Sequence, residues 1–319
     1  MTYALNTPRA GGFPTLRHLE SLARSARRPK YTPGSTAHID RVYEIQDELS
    51  SPRLAPSLLV SYPDTPRSQC ALELSQEAIA ASSSAWLTIA GDQEFWSAGT
   101  ELDAHIGGAL DQLEPTGWLL VVTRSDNSMP PSATPRGNPR IMRTTFALSQ
   151  DRPVRVAFGD VAALPAVAAG AEAIGTGWDL RQRICAYQDF EEREADAGSG
   201  GGWYQRPTLN GLMGGLSNGE HDILVSESAE LARQLTPGTI GPKPEQAFRH
   251  HAGVLTGIVD ELNTLSGLAR VDSLRSRYLD AKTHWPEVKR ITGTKIGSDR
   301  WIKPFLEGID LFRASEGWI

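Results

Sequence analysis

From residue 57 onward the chain alternates short apolar runs with longer stretches in which apolar residues recur every three or four positions. The runs are SLLVSY (57–62), AWLTIAG (85–91), GWLLVVTR (117–124), VRVAFGD (154–160) and AEAIGTG (171–177). Their length, their apolar and partly β-branched content and the turn residues around them predict strands. Between the first two, Thr65 as cap and Pro66 at the first helical position predict a helix to about Ala81. Thr100 is read as the cap of the next, with Leu102, Ile106, Ala109 or Leu110, and Leu113 facing inward, and Asn138-Pro139 opens another that runs through Ser149. Strands alternating with helices predict βαβ units around a parallel sheet. The expected fold is α/β: a (β/α) barrel-like domain, closed or incomplete, with a doubly wound sheet as the alternative.

Helical periodicity dominates on both sides of this region. Leu16, Leu19, Leu22 and Ala26 form one stripe, stopped by Pro29, and Ile39, Val42, Ile45 and Leu49 form a second that ends before Pro52. After the glycine-rich segment 196–206 the strand signal fades. Ser217 and Glu220 have the spacing of a capping box. Pro244 starts a helix carrying Phe248, Ala252, Leu255, Ile258 or Val259, Leu262 and Leu265, closed by Gly267. Leu274, Tyr278, Ala281 and Trp285 mark a further helix that stops at Pro286, and Trp301, Phe305, Ile309 and Phe312 mark one starting near Asp299. The expected organisation is N-terminal helices over 1–55, an α/β core over 56–195, a linker over 196–206 and a helical domain over 207–319.

Composition changes this picture little. The chain has 319 residues, 39% hydrophobic and 22% charged, as a globular protein does. No apolar run reaches the length of a membrane span and the N-terminus lacks an apolar signal core, so a cytoplasmic protein is expected. Cys70 and Cys185 are too few for a disulfide framework or a zinc cluster and read as small core residues. A net charge of −6 disfavours wholesale nucleic-acid binding. The N-terminal region departs from this: Arg9, Arg17, Arg24, Arg27, Arg28, Lys30 and Arg41 face only Glu20 and Asp40. They read either as a solvated helix face or as a contact for a protein, nucleic-acid or phosphate partner.

In a parallel α/β fold, residues just beyond the strands converge at one end of the sheet. An aspartate follows every predicted strand: Asp64, Asp92, Asp126, Asp160 and Asp179. Converging carboxylates suit general acid–base catalysis, a carboxylate nucleophile or a divalent metal, and Asp64, Asp92, Asp126 and Asp160 are the catalytic candidates. The competing reading is that each caps the helix that follows it. The proline-rich stretch 125–138 is expected to act as a lid, with Asn127 and Arg136 as its ligand contacts. Trp203, Tyr204 and Arg206 either stack on a planar ligand or anchor the junction between domains. His250 and His251 are adjacent on a helix and cannot share a metal as an i, i+4 pair can. No motif of a serine hydrolase, zinc protease, P-loop NTPase or dinucleotide enzyme is present, and neither a metal nor a cofactor is expected.

The stretch 154–183 runs strand, short Ala-rich connection, strand and the turn Gly175-Thr176-Gly177, followed by Trp178, Asp179, Arg181 and Arg183. It resembles the last two βα units of phosphate-binding TIM barrels. That resemblance implies backbone N–H groups approaching a phosphate, with the arginines adding positive charge. Where such barrels carry paired glycines, this chain has Gly159-Asp160. Gly175, Gly177, Trp178, Asp179, Arg181, Arg183, Tyr204 and Arg206 are thus the candidate contacts for a small polar or anionic ligand. The favoured function is a carboxylate-dependent enzyme for a polar, phosphorylated or nucleoside-like ligand, performing glycosyl or ribosyl transfer or hydrolysis. The tRNA base-exchange transglycosylases use aspartates on such a barrel, but their cysteine-rich zinc site is lacking. The alternatives are a non-catalytic barrel-derived subunit and a divalent-metal-dependent hydrolase or lyase.

Overall fold

A computed structural model describes residues 34–124, 137–178, 182–186, 205–236, 238–294 and 299–318. The chain forms two compact units, residues 1–123 with 147–157 and residues 124–146 with 158–319.

The first unit is built on α1 (Gly34–Glu48), β1 (Leu59–Val60), α2 (Pro66–Ala81), β2 (Trp86–Gly91), α3 (Thr100–Gln112), β3 (Gly117–Arg124) and, following α4 (Gly137–Ser149), β4 (Val154–Ala157). Its strands are parallel and pair in sequential order, β1 to β2, β2 to β3 and β3 to β4. The register aligns Leu87, Trp118 and Val154 in one row and Ile89, Leu120 and Val156 in the next, so one face of the sheet is a continuous apolar surface. Parallel strands covered by crossover helices need such a surface, which is why the runs look apolar in the sequence. Thr65 caps α2 in a capping box with Ser68, and Pro66 is the first helical residue. The Tyr43 hydroxyl of α1 donates to the Ala78 carbonyl of α2 at 3.0 Å. Among the described residues of this unit β1 pairs only with β2, and no pairing closes the strands into a barrel.

The second unit contains the fifth predicted strand as β5 (Ala173–Ile174), preceded by α5 (Leu164–Ala168). It continues with β6 (Cys185–Ala186), the antiparallel pair β7 (Thr208–Leu209) and β8 (Gly214–Gly215), and the helices α6 (Asn218–Glu227), α7 (Ala229–Leu235), α8 (Pro244–Asn263), α9 (Gly267–Thr292) and α10 (Ile302–Ser315). Leu209, Leu212, Leu255, Leu274, Tyr278, Trp285, Phe305 and Phe312 belong to its one large core. Tyr278, Trp301 and Phe305 meet edge to face there.

Local details differ from the periodicity. Gly99, with φ 70°, caps α3, and Thr100 is its first residue. Gly267 opens α9 instead of closing α8. Pro286 lies inside α9, which continues to Thr292 because Val288 and Thr292 extend the buried stripe of Leu274, Tyr278, Ala281 and Trp285. A proline inside a helix removes one hydrogen bond, and the packing of that last turn offsets the loss. The buried line of α8 runs through Ala247, His251, Leu255, Ile258, Val259 and Leu262. It is displaced by one residue from the predicted Phe248 and Ala252, and it carries a histidine into the interior. No described helix is long and apolar enough to cross a membrane.

Candidate functional site

The strand-end aspartates have separate fates. Asp64 is exposed and precedes the cap of α2. The Asp92 carboxylate accepts the backbone N–H groups of Glu94 and Phe95, both at 3.0 Å, and so acts as a cap for the turn that follows β2. Both belong to the first unit. Asp126, Asp179, Arg181 and Tyr204 lie outside the described residues, as do Trp203, Asn127, Arg136 and all the N-terminal basic residues except Arg41. Arg41 is exposed and pairs with Glu44 at 3.0 Å.

Asp160 is different. It directly follows the β4 turn in the second unit, is 1% exposed, and has a φ of 46°. Phe158, two residues earlier, has a φ of 53°. Left-handed backbone at two non-glycine residues in a row of three costs on the order of 1–2 kcal/mol each and persists only when surrounding contacts over-determine it. Those contacts are present. The N–H groups of Gly159 and Asp160 both donate to the Gly175 carbonyl, at 3.0 and 3.1 Å. Oδ1 of Asp160 accepts the Val161 N–H at 2.7 Å. Oδ2 accepts the Thr176 hydroxyl at 2.6 Å and faces His251 Nε2 at 2.9 Å. The Arg183 guanidinium stands 3.7 Å from the same oxygen.

This geometry bears directly on the phosphate reading. The N–H groups of Gly159 and Asp160, at the position of the barrels' paired glycines, are turned inward to Gly175. Gly177 is required for close packing: a Cβ there would collide with the Gln182 side chain, and its carbonyl accepts Arg183 Nε at 2.5 Å. Arg183, 1% exposed, is committed to this interior, with its guanidinium 5.4 Å from the centre of the Phe248 ring. Phe248 in turn meets the half-exposed Trp178 edge to face. Arg206 is exposed at the surface.

His251 extends the cluster away from Asp160. Its Nδ1 lies 2.9 Å from the Thr208 hydroxyl of β7, and the Gln205 side-chain amide donates to that hydroxyl at 3.2 Å. Gln205 Oε1 accepts from Arg183 Nη1. The polarity of the chain follows. A guanidinium only donates, so the Gln205 oxygen faces it and the amide N–H₂ is directed at Thr208. An ionised carboxylate only accepts, so His251 presents N–H from Nε2 to Asp160. In the neutral ring Nδ1 is then an acceptor, and the Thr208 proton points to it. With the ring neutral, the hydrogen bonds run one way, from Arg183 through Gln205, Thr208 and His251 to Asp160.

Burial alone would raise the Asp160 carboxyl. The attraction and hydrogen bond of His251, the nearby Arg183 and the Thr176 hydroxyl outweigh it and hold the group well below the usual carboxylate range. Burial pushes the Arg183 guanidinium down, against the opposing effect of Asp160. Among the described residues no group of three or more His, Cys, Asp and Glu side chains is placed to hold a metal ion.

Thr208 and Gln205 are additions to the residues singled out from the sequence, whereas Thr176 was noted only as part of the Gly175–Gly177 turn and His251 only as a neighbour of His250 that cannot share a metal with it. The signal for His251 was present, since a polar residue stands four positions from both Ala247 and Leu255 on a stripe that is otherwise apolar. Nothing in the local sequence around Thr208 marks it. The chain matches no protein-family model, no curated protein and no solved structure with which it was compared.

Proposed function

We propose that the chain is an enzyme acting on a polar ligand by acid–base chemistry, with its centre at Asp160, His251 and Thr208 of the second unit. The observation that carries this reading is the line of carboxylate, imidazole and hydroxyl, with 2.9 Å at each junction. Such a line lets an imidazole take a proton from a hydroxyl while the carboxylate holds the ring's orientation and tautomer. The left-handed backbone of Asp160 itself and of Phe158, just beyond β4, supports the same reading, because strain of this kind gathers at functional sites. Glycosyl or ribosyl transfer or hydrolysis remains the reaction named by the strand-end aspartates. In that version a carboxylate must reach the ligand. Both Asp160 oxygens are engaged within the protein, so the imidazole is the group that moves the proton here.

A second reading is a non-catalytic subunit on a partial barrel, in which the cluster is an internal clasp. Two observations favour it: Asp92 caps its own turn, and Asp160, Arg183, Thr208 and His251 are all at least nine-tenths buried. Turnover separates the two. A panel of nucleosides, nucleotides, aryl glycosides and simple esters is assayed with the wild-type chain, Asp160→Asn and His251→Gln. The enzyme reading expects a loss of about 10²-fold or more in both variants, with circular dichroism unchanged. Equal turnover in all three, or none on any substrate, favours the clasp.

A further inference from the structure

We infer that Thr208 Oγ1 is the nucleophile of this centre and that its substrate is an acyl compound, an ester or thioester. This rests on the enzyme reading above and adds the attacking atom and the electrophile. Three observations support it. The Thr208 proton is directed at His251 Nδ1 by the fixed polarity of the chain, because Gln205, oriented by Arg183, already donates to Oγ1. The other acceptor within reach of the hydroxyl, the Arg206 carbonyl at 3.5 Å, is more distant than His251 Nδ1 at 2.9 Å, so the proton goes to the imidazole; with one lone pair taken by Gln205, the second lone pair of Oγ1 is left for attack. Asp160 stays ionised, accepting from Thr176 and Val161 as well as facing His251, so it can stabilise the imidazolium that forms when the proton arrives.

The step balances with the substrate and water alone. The Oγ1–H proton passes to His251 Nδ1 as Oγ1 bonds to the acyl carbon, and the carbonyl π pair moves onto its oxygen. Collapse of this tetrahedral adduct breaks the bond to the alkoxide or thiolate, which takes the proton from Nδ1 and leaves an acyl-threonine. Water attacks that ester through the same imidazole in reverse and restores the Thr208 hydroxyl. An acyl carbon suits this apparatus better than an anomeric one. A hydroxyl activated by imidazole attacks a carbonyl directly, whereas glycosidases of the usual kind need a free carboxylate at the sugar.

The test uses a small neutral organophosphorus fluoride, in which P–O bond formation at Oγ1 expels fluoride while His251 takes the proton. After incubation with the full-length chain, peptide mass spectrometry locates the adduct. The expected result is one phosphoryl group on Thr208, at least tenfold slower in His251→Gln and Asp160→Asn, and transferred to the new hydroxyl in Thr208→Ser. Absence of an adduct at residue 208 of the folded wild-type protein overturns the inference, as does labelling that is unaffected by His251→Gln. The outcomes are separable from those of the enzyme reading. Turnover that needs Asp160 and His251 while Thr208 stays unlabelled removes the nucleophile and leaves the acid–base roles of Asp160 and His251 standing. Labelling needs no turnover, and it fails independently of any choice of natural substrate.

Discussion

Asp160 combines features that individually destabilise: a buried charge and a left-handed backbone. Its partners must offset both, and removing one leaves an uncompensated ion in the interior. A pH effect follows. The folded carboxyl lies below its ordinary value of 3.8, so the unfolded chain binds the extra proton first as acid is added. Asp160 therefore contributes stability that is fully present above the unfolded value and is lost as pH falls through the folded one. Urea unfolding of wild type and Asp160→Asn between pH 6 and 2 should show a steeper acid loss in the wild type. Parallel curves would show that the carboxylate is not held by its neighbours. In the first unit, His105 is governed by burial alone, which holds its imidazole below the ordinary 6.5. Its charging opposes folding, so stability falls as acidity increases below about pH 6.5. His105→Leu should flatten the curve between pH 7 and 5, and an unchanged slope would contradict this.

At the scale of elements, the legible features were those set by local rules. β3 occupies the run 117–124 in full, α2 begins at Pro66 with its Thr65 cap, and Ser217 with Glu220 forms its capping box. Each depends on neighbours a few residues apart. What was not legible depends on distant partners. His251 is buried on α8 against Asp160, 91 residues away in sequence, and Thr208. The aspartates were visible as a set, but whether each caps or reaches inward depends on tertiary contacts: Asp92 turns to its own backbone, and Asp160 does that with one oxygen and meets distant side chains with the other. Pro286 illustrates the same limit, since a helix breaker is tolerated where burial on either side continues. Its side chain is exposed, so Pro286→Ala restores a backbone donor without opening a cavity. It should stabilise the protein by roughly 1–3 kcal/mol in urea unfolding. Destabilisation would mean that the core needs the proline's bend.

For the whole molecule, the division into two compact units places the relay entirely in one of them. Asp160, Thr176, Arg183, Gln205, Thr208 and His251 all lie in the unit formed by residues 124–146 and 158–319. The parallel sheet of the other unit carries Asp64 and Asp92, which take no part in the relay. Asp64→Asn and Asp92→Asn should accordingly leave Thr208 labelling within about twofold of wild type, and a loss in either would contradict the assignment of the centre to the second unit. The central claim is the one-way chain from Thr208 through His251 to Asp160. Nitrogen NMR of the full-length chain, with ring-labelled histidine and the His251 signals assigned by their loss in His251→Gln, tests it most directly. The expected result is a proton on Nε2 in slow exchange with water, an acceptor-type Nδ1, and faster exchange of that proton in Asp160→Asn. A proton on Nδ1 instead, or an Nε2 proton whose exchange Asp160→Asn does not alter, would contradict it.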